Sequence, residues 1–173
     1  MALVFQYGSN CSEREINSDG RLRGDAQFVG VAETLEDFEL EFDVWSRGRK
    51  CAASNIIRKD GGKVWGVLYE IPDYLMARAT ANAAGRKSFD QIEGEGTNYD
   101  RKPISVRRTD GSVVSAITYL VRDPVQGLKT NAEYVGHIAR GLRERRINED
   151  YIAKVKAIAV ANNPDLAVEL QRL

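Results

Sequence analysis

The chain is short of the residues from which redox and metal chemistry are built. It has 2 cysteines and 1 histidine in 173 residues. Cys11 and Cys51 make neither a disulfide framework nor a metal-ligand cluster, which fits a reducing compartment. With His137 as the only histidine, a zinc site lacks partners and a Ser-His-Asp triad has one residue to draw on. Net charge is also missing: 25 Lys and Arg balance 25 Asp and Glu, so nothing global steers the chain toward nucleic acid or an anionic membrane. No run approaches the roughly 18 apolar residues of a membrane span. The opening "MALVFQYGSN" has no basic flank of a signal peptide, so a cytoplasmic protein is expected, and the sequon-like "NCS" at 10–12 is read as chance. "GEG" at 94–96 lacks the further glycine or Gly-Lys-Ser of a nucleotide loop. The basic stretch holding Arg140, Arg143, Arg145 and Arg146 is interrupted by Glu144 and has no aromatic ladder, so it reads as a solvated helix face.

What is present is a mixture of strands and late helices. The length suits one domain spanning 1–173, and no repeat or linker divides it. Between 26 and 71, "AQFVGVAETL", "DFELEFDVW", "SNII" and "KVWGVLYEI" read as strands, and "KDGGK" at 59–63 reads as a hairpin turn. "PDYLMARATANAAG" opens on Pro72 and closes on Gly85, which predicts one short helix. "KPISVRR" and "SVVSAITYLV" form a second predicted hairpin through "TDGS". From about residue 131 the pattern is helical: Tyr134, Ile138 and Leu142 share a face, and Asn148 caps a helix with Tyr151, Val155, Ile158 and Ala159 on one side. A last short helix is expected from Asn163 and Pro164. This order lacks the βαβα alternation of a doubly wound sheet. It predicts an α+β fold: a mixed, largely antiparallel small β-barrel with flanking helices.

Two stretches carry candidate chemistry. In "VFQYGSN", residues 4–10, an apolar strand breaks into Tyr7, Gly8, Ser9 and Asn10, and Ser12 and Glu15 have capping-box spacing for a helix just after. Strand, small-residue loop and helix aim backbone N–H groups at one point, which suits an anionic or carbonyl oxygen; an ordinary tight connection is the alternative. In "FDQIEGEG", residues 89–96, Glu93 stands between Ile92 and Gly94. A carboxylate against apolar surface has its pKa raised toward neutrality, as a general base requires, although most loop glutamates are solvated.

Taken together, five segments in order resemble the γ-glutamylcyclotransferase family, the AIG2-like or butirosin-biosynthesis-G-like fold, from residue 4 to about residue 158. They are "YGSN", "RGDAQFVGVAETLEDFELEF", "SNIIRKDGGKVWGVLYEI", "FDQIEGEGTNY" and "AEYVGHIARGLRERRINEDYIAKV". The resemblance implies cyclisation of a γ-glutamyl amino acid or γ-glutamyl amine to 5-oxoproline with release of the free amine. This is an intramolecular acyl transfer of carbon–nitrogen lyase type that needs no cofactor and no metal. Glu93 matches the family's catalytic glutamate. Val4, Phe5, Gln6, Tyr7, Gly8, Ser9 and Asn10 match its substrate strand and loop, Tyr134 matches a pocket tyrosine, and Tyr99 and Tyr119 are expected nearby. The implied partner is a small γ-glutamyl molecule bound to a monomer or homodimer, with no nucleic acid or membrane involved.

Departures from the family pattern are Cys11 and Phe89, each where leucine is common, and a shorter stretch from Glu93 to Tyr99 that alters the outer pocket. The residue after "YGS" disfavours glutathione. Two other readings use the same residues: a member of the fold that binds a small ligand without turnover, and an enzyme that removes a γ-glutamyl protecting group from a biosynthetic intermediate.

Overall fold

A computed structural model describes residues 1–173. Five strands close a barrel in the order β1 (Ala2–Gln6), β5 (Trp65–Ile71), β2 (Gln27–Thr34), β6 (Tyr99–Arg108) and β7 (Val113–Val121). All neighbouring pairs are antiparallel except the closing one, where β7 meets β1 in parallel at Val4 and Ile117. The expected mixed, largely antiparallel barrel is therefore the fold observed. Strands β3 (Phe38–Ser46) and β4 (Cys51–Arg58) form a separate antiparallel hairpin. In β3 the alternation "FELEF" buries Phe38, Leu40 and Phe42, and a bulge between Phe42 and Val44 then turns Asp43 inward as well.

Six helices accompany the strands: α1 (Glu13–Ile16), α2 (Arg78–Ala83), α3 (Phe89–Glu93), α4 (Ala132–Glu144), α5 (Glu149–Asn162) and α6 (Ala167–Leu170). Asn131 and Asn148 cap α4 and α5 by accepting from the backbone N–H of Tyr134 at 2.9 Å and Tyr151 at 2.7 Å. Tyr134, Ile138 and Leu142 point into one apolar cluster that runs from the barrel strands to α5. At Gly141, α4 lies so close to Cys11 and Ser12 that a Cβ would come within 2.9 Å of the Ser12 Cα, so the helix seats directly on the chain leaving β1. No helix is long and apolar enough to cross a membrane.

Three local expectations change. "KDGGK" does not join a hairpin, because β4 pairs only with β3 while β5 pairs with β1 and β2. It carries the chain from the hairpin back to the barrel, held where Gly61 N–H and Lys63 Nζ donate to the Asp37 carboxylate at 2.8 and 2.9 Å. The helix read over 72–85 is split into a 3-10 turn at Asp73–Leu75 and α2, since Ala77 adopts an extended conformation. Ser12 precedes α1 and Glu15 lies in its first turn, but they form no capping box: the Ser12 side chain makes no capping bond, and Glu15 instead pairs with Arg49 at 2.6 Å and lies 3.2 Å from Nδ1 of His137. A guanidinium is the stronger partner for that carboxylate.

Candidate active site

Strand β1 ends at Gln6 because the chain curls immediately into a 3-10 turn, with Cys11 N–H donating to Gly8 O at 3.0 Å and Ser12 N–H to Ser9 O at 3.1 Å. The bonds that close this turn leave the N–H groups of Gly8, Ser9 and Asn10 unused, as the first residues of any helical turn must. Its outer side is clamped: Cys11 Sγ donates to Gln6 O at 3.1 Å, Tyr69 OH donates to Cys11 O at 3.0 Å, and α4 presses on it at Gly141. Gly8 is required by a neighbour, because a Cβ there would collide with Ser54 Oγ and lie 3.4 Å from the Tyr134 hydroxyl.

Glu93 is the last residue of α3. A complete capping box starts this short helix, with Gln91 N–H donating to Ser88 Oγ and Ser88 N–H to Gln91 Oε1, both at 3.0 Å. Gly94 ends it in the left-handed conformation, φ 70°, which a side chain resists. The first turn is fixed to the barrel by Asp90, which accepts two bonds from Arg101 at 3.0 and 2.6 Å and one from Tyr119 OH at 2.7 Å. Glu93 lies three residues further on, so these bonds also set its direction.

The two stretches meet in a relay of side chains. Arg21 Nη1 donates to Asn10 Oδ1, and Asn10 Nδ2 donates to Glu93 Oε1. Burial pushes the Glu93 carboxyl up to about 7, while Arg21 and the Asn10 hydrogen bond pull it down and Asp90 pushes it further up. A carboxyl in that range exchanges its proton readily in both directions at neutral pH.

Glu93 lines two joined spaces. The inner one, about 40 Å³, is bounded by Gln6–Asn10, Ser54, Glu93, Tyr99, Tyr119 and Tyr134. The outer one is a cleft of about 450 Å³ that shares Ser9, Asn10, Glu93, Tyr99 and Tyr134 with it. The tyrosine hydroxyls are held: Tyr7 OH donates to Tyr119 O at 2.5 Å, Tyr99 OH donates to Ser54 O at 2.7 Å, and Tyr134 OH accepts from Ser54 N–H at 3.0 Å. Burial raises the pKa of all three, so they stay neutral at physiological pH and act as walls and donors.

Of the residues expected at the site, Gln6, Tyr7, Gly8, Ser9, Asn10, Glu93, Tyr99, Tyr119 and Tyr134 all border this cavity. Val4 and Phe5 do not: both are wholly buried in the barrel core, because β1 is covered on both faces. His137 sits on α4 beside Glu15 and takes no part in lining it. Sequence reasoning missed Arg21 and Ser54. Ser54 lies in the quoted "SNII", but Arg21, in "SDGRLRGD", carries no signal that separates it from an ordinary loop cation. No group of three or more His, Cys, Asp or Glu is arranged to hold a metal ion.

Comparison with known proteins gives the family and the fold. The family model described as "Gamma-glutamyl cyclotransferase, AIG2-like" matches residues 4–136. A solved structure named "Gamma-glutamyl cyclotransferase" superposes with a TM-score of 0.74 at 25% identity, covering 91% of this chain and 87% of its own. An uncharacterized human protein gives 0.73 at 26% identity over the same shares of 91% and 87%. YkqA from Bacillus subtilis shares the fold, with a TM-score of 0.70 at 21% identity, over 91% of this chain and 54% of its own. No curated protein is significantly similar in sequence.

Proposed function

The chain belongs to the γ-glutamyl cyclotransferase, AIG2-like family, and on that premise we propose that it converts a γ-glutamyl amino acid or γ-glutamyl amine into 5-oxoproline and free amine, with Glu93 as the proton shuttle. The observation that carries this reading is the Glu93 carboxyl, raised to about 7 and hydrogen-bonded by Asn10 of the "YGSN" turn inside a cavity that both motifs border.

The nucleophile is the substrate's own α-amine, which with a pKa of about 8 is mostly protonated at neutral pH. Ionised Glu93 removes that proton, and the amine nitrogen bonds to the γ-carbonyl carbon. The carbonyl π pair moves onto oxygen. Backbone N–H groups of Gly8–Asn10 are suited to hold this oxyanion or the glutamyl carboxylate. The ring nitrogen gives its second extra proton to solvent, the oxygen pair re-forms the carbonyl as the C–N bond to the leaving group breaks, and Glu93 returns its proton to the departing amine. Both reacting atoms belong to one molecule, so no covalent enzyme intermediate is needed. A cavity that folds the substrate into a near-attack shape supplies much of the rate.

A purely binding member of the fold has no use for a carboxyl poised at neutrality, which is why turnover is the preferred reading. The test is release of 5-oxoproline from a panel of γ-glutamyl amino acids and γ-glutamyl amines at neutral pH. Turnover of at least one with release of the matching amine is expected. Tight binding without any 5-oxoproline would overturn catalysis in favour of a binding role.

A further inference from the structure

Four tyrosines border the inner pocket, and three of their hydroxyl protons are already spent. Tyr7 OH donates to Tyr119 O at 2.5 Å, Tyr99 OH to Ser54 O at 2.7 Å and Tyr119 OH to Asp90 Oδ1 at 2.7 Å. Tyr134 is different. Its oxygen accepts from Ser54 N–H at 3.0 Å and lies 2.8 Å from Ser54 Oγ, and neither hydroxyl makes another hydrogen bond within the protein. The pair therefore holds two O–H protons and has a single bond between its oxygens to use them on. When Ser54 donates, the Tyr134 proton is left over; when Tyr134 donates, the Ser54 proton is. Both side chains are buried and both border the inner pocket. A Cβ on Gly8 would collide with Ser54 Oγ and lie 3.4 Å from the Tyr134 hydroxyl, so the spare proton sits beside the unused N–H groups of the Gly8–Asn10 turn.

Resting on the cyclotransferase reading, we propose that Ser54 is a further substrate-contacting residue, and that it and Tyr134 form an exchangeable pair which always presents one O–H donor to an anionic oxygen of the glutamyl group. A buried hydroxyl proton without an acceptor costs free energy, and an oxygen of the bound substrate removes that cost. Two oxygens of the glutamyl group have the required charge: its α-carboxylate, and the γ-oxygen as the amide is attacked. The pair is fixed before substrate arrives. Tyr134 N–H is capped by Asn131 at 2.9 Å, and its ring packs edge-on with Phe42 at a centroid distance of 6.3 Å. A donor held in this way needs no reorganisation when the charge develops.

Exchangeability has a signature in a double-mutant cycle. Ser54→Ala leaves the Tyr134 proton free, and Tyr134→Phe leaves the Ser54 proton free, so each single variant keeps one donor and only the double variant has none. With the best γ-glutamyl substrate, each single change should lower kcat/KM by no more than about threefold, and the two together by roughly thirty- to a hundredfold. The loss falls on kcat where the partner is the γ-oxygen and on KM where it is the α-carboxylate. Ser54 N–H loses its acceptor in both proteins that carry Tyr134→Phe, so that structural cost cancels in the cycle. A loss in the double variant no larger than the product of the single losses overturns the pair and leaves the cyclotransferase reading intact. Ser54→Gly with Tyr134→Phe takes the place of the double variant should that one not fold. Should the wild-type protein release no 5-oxoproline from any γ-glutamyl compound, the cyclotransferase reading fails, and calorimetric titration of L-glutamate into the same four proteins decides the pair alone. Affinity lost only in the double variant supports it; equal affinities, losses that multiply, or no binding overturn it.

Discussion

Replacing Glu93 by glutamine should stabilise the folded protein, and only at the higher pH. The folded state raises this carboxyl from 4.5 to about 7, so it holds the proton more tightly than the unfolded chain does. The stabilising effect of protonation is full at low pH and is lost as pH rises through about 7, because a buried carboxyl must then be ionised in the fold. At about 1.4 kcal/mol per pH unit the shift sets an upper bound of about 3.5 kcal/mol. Residual solvent contact at Glu93 brings the expected effect to about 1 to 2 kcal/mol between pH 5 and pH 8, the pull of Arg21 being already contained in the value of about 7. Glutamine keeps an oxygen to accept from Asn10 Nδ2 and never ionises, so the variant lacks this part of the pH dependence. Urea denaturation of both proteins at the two pH values, followed by the fluorescence of Trp45 and Trp65, measures the difference. The variant should gain on wild type as pH rises. A difference that is independent of pH, or that shrinks toward pH 8, refutes the reasoning that burial dominates at this carboxyl.

Other perturbations separate the parts of the site. Arg21→Gln removes a cation that pulls the Glu93 pKa down, so the acid limb of the kcat/KM profile should move to higher pH; an unmoved limb with only a lower plateau contradicts the relay through Asn10. Gly8→Ala should lower kcat/KM by the equivalent of about 1 to 3 kcal/mol. Adding Ser54→Ala should recover part of that loss, because the obstructing atom is Ser54 Oγ; additive losses in the double variant would place the damage elsewhere. Ser9→Ala, which keeps its backbone N–H, should cost less than Gly8→Ala in the same assay. Gly141→Ala should destabilise the fold by about 2 kcal/mol or more, since backbone rather than a flexible side chain stands in the way, and a near-neutral melting temperature would argue against that packing.

The barrel was legible because its strands follow the two rules that sequence displays: alternation or short apolar runs, bounded by turn residues. "TDGS" does join β6 to β7. "KDGGK" has the same turn chemistry and joins strands that do not pair, because a glycine-rich turn encodes a change of direction and not the strand that follows it as neighbour. The capping box shows a similar limit. Ser12 and Glu15 have the spacing but Glu15 finds Arg49, 34 positions away, whereas Ser88 and Gln91 complete the box that starts the helix bearing Glu93. At the site, Glu93 and the "YGSN" turn were readable from their residue types, and Asn10 joining them was not expected through its side chain. Gly8 illustrates the difference most directly. Its place in a small-residue loop pointed to an oxygen ligand, and the structure adds a nearer reason for glycine in Ser54 Oγ, contributed by a strand far along the chain. Arg21 and Ser54 stayed hidden because their roles depend only on such long-range approach.

The central claim is that Glu93 moves the proton during cyclisation, and the most direct test is the rate of 5-oxoproline formation by Glu93→Gln, measured with its substrate affinity. Loss of about two to four orders of magnitude in kcat with affinity largely retained is the predicted result, since glutamine keeps the shape and removes the base. Turnover within a factor of a few of wild type would contradict the account, and the proton would have to travel by another group in the cavity.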